Sequence, residues 1–250
     1  MLGGAVTGNS EVTVTGTGQP GDPWIVTATV EDTSVVSTIF SVDGTWFKPG
    51  GGTFARVIVI GGGGGGSADQ ATSGGATTGP EGGDGGSMST ALFRLAALPA
   101  SVDVTVGPGG SGGLGSISSL GGTGGDSYYG PYLRAEGGAG GGKARKLSGS
   151  TPEGGTGGRG GGPGADAEDA YNGPSPRGGG RGHGNGDPAT AGGQIFVSEW
   201  DLGGEGGDGS PAPLTNGEDG ELYGGGGGGA DEEDSNGGNG ADGIVIVTVW

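Results

Sequence analysis

Arg56-Val-Ile-Val-Ile-Gly-Gly-Gly-Gly-Gly-Gly66 decides the fold. Residues 57–60 are apolar without alternation, the pattern of a strand covered on both faces. The six glycines that follow present no side chain at all. Glycine loses more conformational freedom on ordering than any other residue. A chain carrying 74 glycines in 250 residues is either disordered or brings its backbones into very close approach. The strand signals that bracket the glycine blocks favour close approach. A second six-glycine block, residues 224–229, stands shortly before Gly243-Ile-Val-Ile-Val-Thr-Val-Trp250, the strongest strand signal of all.

Outward from this junction the strand patterns continue. Glu11-Val-Thr-Val-Thr15 alternates apolar and polar, residues 16–23 form a turn cluster, and Trp24-Ile-Val-Thr-Ala-Thr-Val30 reads as a second strand. Residues 1–34 therefore read as a small N-terminal β module for attachment or oligomerisation, and residues 35–250 as a glycine-rich β domain with displayed loops. Within the latter, residues 35–40, 45–49, 54–60, 91–98 and 101–106 are strand candidates, with weaker ones at 127–133 and 194–200. Glycine interrupts every window in which a helical apolar stripe would develop. The expected fold is all-β, with a β-sandwich-like core followed by glycine rods and long loops. Trp24, Trp46 and Trp250 are read as core, and Phe54, Val57, Val59, Ile244 and Ile246 as core or interface.

The glycine blocks lack the strict triplet period and the abundant proline of collagen. Many are Gly-Gly-X units, which suit polyproline-II geometry with three residues per turn and no internal hydrogen bonds. Two bare faces per rod let neighbours bond through N–H and C=O groups, while the third position points outward. Glu81, Asp84, Thr123, Arg159, Glu205 and Asp208 are such outward residues. A rod enclosed by others needs glycine throughout, as the six-residue runs provide. Each bond contributes only ~0.5–1.5 kcal/mol net, whereas fixing a residue costs ~1–2 kcal/mol. An isolated rod therefore fails; rods tied to a β core and copied by oligomer symmetry succeed.

Charge and composition narrow the function. A formal charge of −18, from 28 acidic and 10 basic residues, disfavours nucleic acid as a partner. Six cations fall between Lys143 and Arg181, whereas residues 199–242 hold twelve carboxylates and no cation. Loops backed by glycine rods are suited to partner recognition. The candidate contacts are Lys143, Arg145, Lys146, Tyr171, Arg177 and Arg181, with residues 210–223 as a second exposed stretch. Cysteine is absent, which excludes disulfides and thiolate metal sites. Residues 1–5 show no signal-peptide pattern, and no apolar run approaches the ~20 residues of a membrane span.

Enzyme signals are weak. Gly-x-Gly-x-x-Gly matches arise by chance here and lack a following helix. The lone His183 makes neither a multi-histidine metal site nor a positioned base. Asp231-Glu-Glu-Asp234 lacks the spacing of a calcium loop and reads as solvated charge, with calcium binding left open. Tyr128, Tyr129, Tyr132 and Tyr171 suit either a core or sugar stacking. No catalytic residue, metal or cofactor is expected.

Phe40-Ser-Val-Asp-Gly-Thr-Trp-Phe-Lys-Pro49, then residues 54–66, then Gly237-Gly-Asn-Gly-Ala-Asp-Gly-Ile-Val-Ile-Val-Thr-Val-Trp250 together resemble the glycine-rich domain of tailed-phage minor tail proteins and tail-fibre tip adhesins. Residues 11–18 with Pro23-Trp-Ile-Val26 are similar to short β repeats that precede such domains. The resemblance implies a virion component of the distal tail, a homotrimer that binds other tail proteins. It also implies contact with a host-surface glycan or protein, without membrane insertion. The rival expectations are a purely structural tail or capsid decoration protein, and an extracellular adhesin or ice-binding protein. The charged outward positions disfavour ice binding.

Overall fold

The computed structural model describes residues 11–19, 24–30, 33–69, 80–117, 119–142, 207, 209, 215–231 and 235–250. Among these the protein is all-β, with no α-helix and two short 3-10 turns at Leu95–Ala97 and Gly115–Ile117. Its strands are β1 (Glu11–Thr15), β2 (Trp24–Val30), β3 (Thr33–Phe40), β4 (Gly44–Phe47), β5 (Phe54–Ile60), β6 (Ala68–Asp69), β7 (Met88–Arg94), β8 (Ser101–Thr105), β9 (Ser127–Tyr129), β10 (Leu133–Ala135), β11 (Ala230–Asp231) and β12 (Ile244–Val249). One antiparallel sheet has the order β1-β2-β3-β12-β5-β7 and a second β10-β9-β8-β4. A short parallel pair joins β6 to β11.

The apolar run of β5 lies next to β12, the other strong strand signal, with Val57 opposite Val247 and Ile58 opposite Ile246. Alternation sends Ala55, Val57 and Val59 to one face, where Val245, Val247 and Val249 join them. There they meet Trp46, Val102, Val104, Tyr129 and Leu133 of the second sheet in one core. Trp46 packs edge-on to Tyr129, with ring centroids 5.8 Å apart. The opposite face carries Ile58, Ile60, Ile244 and Ile246, against which Ile39, Met88 and Tyr223 pack. Burial on both sides explains why β5 shows no polar alternation. Gly130, with φ of +48°, turns the chain between β9 and β10, a left-handed conformation that favours glycine.

Two tryptophans read as core lie elsewhere. Trp24 is 43% exposed and Trp250 36% exposed. Pairing parity is the reason: Trp24 sits opposite Ile39, on the sheet face turned away from the second sheet. Trp250 continues the outward series of Ile244, Ile246 and Thr248, and its ring lies 6.5 Å from that of Phe54, a residue that is itself only half-buried. Trp46, Val57, Val59, Ile244 and Ile246 are buried. The predicted strand at 91–98 ends at Arg94, where the 3-10 turn begins. The candidate at 194–200 lies outside the described residues.

Candidate functional site

β5 runs directly into the six glycines of residues 61–66, and their backbone bonds follow a period of three. The N–H groups of Gly61, Gly64 and Ser67 donate to Ser87, Asp84 and Glu81. Those of Gly62, Gly65 and Ala68 donate to Gly125, Gly122 and Ser119, and those of Gly63 and Gly66 to Ala241 and Gly238. In each series one number rises as the other falls, so these three neighbours run antiparallel to the central segment. The carbonyls accept from three parallel neighbours: Gly63 and Gly66 from Gly110 and Gly113, Gly62 and Gly65 from Gly138 and Gly141, Gly64 and Ser67 from Gly227 and Ala230.

These surrounding segments also bond to one another and close a ring. Segment 81–87 donates to 136–142 through Asp84 and Ala139, and 119–125 donates to 136–142 through Gly124 and Gly138. Segment 119–125 donates to 107–113 through Gly122 and Ser111, and 237–243 donates to 107–113 through Gly240 and Gly110. Segment 237–243 then donates to 224–230 through Gly238 and Gly228, to which 81–87 also donates through Gly83 and Gly227. Chain direction alternates around the ring. A Cβ placed on any glycine from 61 to 66 would stand 2.0–2.2 Å from a neighbouring carbonyl oxygen, closer than real contacts allow. The centre of such a bundle has room for glycine alone, which is what a six-residue run provides.

Side chains finish the bonding at the rim. Asn236, Asn239 and Asp242, spaced by three, point outward from their segment. Their Oδ1 atoms accept the N–H groups of Gly115 (3.1 Å), Gly112 (3.0 Å) and Gly109 (2.7 Å). The backbone N–H groups of Asn236 and Asn239 donate in turn to Asn216 (2.8 Å) and Asp219 (2.6 Å). Buried serines stitch the ends: Ser67 Oγ lies 3.0 and 2.7 Å from the carbonyls of Glu81 and Gly142, and Ser127 Oγ accepts the N–H of Gly107 at 2.8 Å. Pro108, which has no N–H to satisfy, stands at an exposed outer position.

This arrangement has two unlike ends. The end formed by Gly61, Ser87, Gly107, Gly125, Glu136 and Gly243 joins the strands. At the other end the chain leaves the described segments at Asp69, Gly142 and Asp231, returns at Pro80 and Ser235, and turns within 114–119. Lys143, Arg145 and Lys146 follow directly on Gly142 in sequence. With Tyr171, Arg177 and Arg181 they lie outside the described residues, so the structure neither assembles nor separates these candidate contacts. Of the predicted outward residues, Thr123 is exposed, Glu81 and Asp84 are half-buried, and Arg159, Glu205 and Asp208 lie outside. Tyr129 is buried in the core, and burial pushes its hydroxyl pKa up. Tyr132 packs against the same core.

One charged cluster stands where the sheets meet the bundle. Asp126 accepts hydrogen bonds from Tyr128 (2.9 Å), Arg134 (2.8 Å) and the N–H of Gly137 (3.0 Å), and Arg134 reaches Glu136 at 3.1 Å. Partial burial pushes the Asp126 carboxyl up, but the Gly137 N–H, the Tyr128 hydroxyl and the Arg134 guanidinium outweigh it and hold its pKa below that of an ordinary aspartate. A carboxyl lowered on folding contributes stability above its unfolded pKa of ~3.9, lost as pH falls through the folded value. The Asp126→Asn variant is therefore expected to lose stability at neutral pH and to show a shallower decline below about pH 4, read by urea unfolding at a series of pH values. Among the described residues no group of three or more metal-ligating side chains occurs, and no helix is long and apolar enough to cross a membrane.

A two-sheet β core that feeds a closed ring of glycine segments defines a glycine-rich structural domain. A family model described as a glycine-rich domain matches residues 33–250. The chain belongs to that family. No curated protein matches the sequence.

Proposed function

We propose that the protein is a non-enzymatic structural component of a bacteriophage tail tip, a minor tail protein of the virion's distal tail that contacts the host surface. In this reading the glycine segments are polyglycine-II rods and the subunit assembles as a homotrimer. Residues 1–34 fix it to neighbouring tail proteins, and residues 35–250 display the contact loops. The observation that carries the reading is the one-ended construction of the bundle. The segments around 61–68 are held by backbone bonds on all sides, and chain exits at Asp69, Gly142 and Asp231 share the end remote from the sheets. A rigid base with long connections on one end suits recognition, because the connections vary without disturbing the base.

Lys143, Arg145 and Lys146 begin the longest of these connections and bring positive charge to an acidic chain. They are the proposed contacts with a host glycan or protein, together with Tyr171, Arg177 and Arg181. The full chain is expected to bind host cells at micromolar concentration and to compete with phage adsorption. Lys143→Ser, Arg145→Ser and Lys146→Ser together are expected to weaken binding at least about tenfold, or about 1.4 kcal/mol. A folded, assembled chain that binds no host cells would leave the rival role, virion stabilisation as a tail or capsid decoration.

A further inference from the structure

Residues 107–113 and 119–125 form a hairpin of two glycine segments on the ring, joined by a turn at the far end. The turn displays three large aliphatic side chains: Leu114 at 50%, Ile117 at 68% and Leu120 at 57% exposed. Exposed aliphatics cost solubility, and a chain with only 29% hydrophobic residues has few to spare from its core. Grouped on one turn, they mark a contact surface rather than the scattered exposure normal for proteins.

The described residues of the turn are also tied by hydrogen bonds. The N–H of Leu114 donates to Ser119 Oγ at 2.6 Å, and the carbonyl of Leu114 accepts from Ile117 (3.4 Å) and Ser119 (3.3 Å). On its flanks Gly113 donates to Gly66 at 2.8 Å and Ala68 donates to Ser119 at 3.0 Å. The N–H of Gly115 donates to Asn236 at 3.1 Å. Little further ordering is needed for these side chains to engage a partner.

Charge selects the partner. Val104 to Gly125 is the longest uncharged stretch in a chain of formal charge −18. Among the other exposed apolar residues, Phe47 stands beside Lys48, Leu92 opposite Arg56 and Leu222 beside Glu221, whereas Val14, Trp24 and Trp250 have uncharged neighbours but are not grouped on one turn. Two copies of so acidic a chain repel one another except where charge is absent. The hairpin bears no charged side chain of its own, the Asp242 carboxylate meeting it at Gly109 near the sheets. It is also a side where ring glycines stay partly accessible, as at Gly109, Gly112, Gly121 and Gly124, whereas residues 224–229 are buried.

We infer that the outer face of this hairpin is a self-association surface, on which a second copy of the chain docks with Leu114, Ile117 and Leu120 as the apolar contact. The inference rests on the multi-copy reading above and assigns it a surface. An anionic lipid or glycan surface would repel a chain of formal charge −18.

Sedimentation velocity of the full chain at micromolar concentration, in low and high salt, tests the assignment. The wild type is expected to self-associate more tightly at high salt, where repulsion between the acidic bodies is screened. Ile117→Asp with Leu120→Asp is expected to weaken association roughly a hundredfold, while circular dichroism stays that of the wild type. Phe47→Asp, at a side chain 73% exposed in β4, is the control for general stickiness and is expected to associate normally. The milder Ile117→Ser is expected to fall between. If the double variant associates like the wild type, the hairpin assignment fails while the multi-copy reading stands. A wild type that is monomeric under all conditions overturns both, and host-cell binding then reads the contact role separately.

Discussion

Gly64→Ala is expected to destabilise the protein by at least ~4 kcal/mol, at the rare extreme of single substitutions and a large part of the ~5–15 kcal/mol that holds a typical domain. The added methyl would stand 2.0 Å from the carbonyl oxygen of Ala139 and 2.5 Å from its carbon. These are backbone atoms already engaged by the N–H of Asp84, so no rotamer change relieves the clash. Separating the two segments would also strain the bonds from Gly64 to Asp84 and from Gly227 to Gly64. Gly50→Ala is the matched control, because a Cβ there meets nothing within 4 Å, and its effect is expected within ~0.5 kcal/mol. Urea unfolding and soluble yield measure both. A Gly64→Ala protein that unfolds like the wild type would show that the segments are not in contact in solution.

Trp46→Ala is expected to cost ~3–5 kcal/mol, the usual range for removing a large buried aromatic. Trp46 is 2% exposed and projects from the second sheet, beside Tyr129 of that sheet, into the core shared with the valines of β5 and β12. The resulting cavity would lie between the sheets that anchor the bundle, so loss of this side chain should loosen both. Trp24→Ala is expected to cost no more than about 1 kcal/mol, because that ring is 43% exposed and rests on the turn at Gly18. Thermal unfolding of the two variants side by side separates a core tryptophan from a surface one. Equal losses would contradict the face assignment of β2.

That contrast also shows where the sequence is readable. Val57 to Ile60 reveal a strand buried on both sides because each residue is apolar in its own right. The six glycines announce an enclosed backbone because no other residue fits a central segment. Trp24 and Trp250 mislead, since an aromatic next to a strand pattern looks interior until pairing fixes its face. Which glycine segments adjoin is hidden, because bare backbones carry no side-chain label of their neighbours. One label does exist: Asn236, Asn239 and Asp242 recur every third residue and bond to Gly115, Gly112 and Gly109. That spacing, and the serines that directly follow glycine at 67 and 87, signal the rim contacts that composition alone conceals. The candidate contact residues from 143 to 181 owe their reading to charge placement in the sequence.

The threefold bonding rhythm of residues 61–68 has an evolutionary corollary. Removing one glycine from this run would shift every later amide by one place in the cycle, so that groups aimed at 81–87 would face 119–125 or 238–241 instead. Removing three would restore the phase and shorten the bundle by a single layer. Lineages derived from this chain should therefore gain and lose length within their glycine tracts in triplets, a reading frame imposed by spatial geometry rather than by the genetic code.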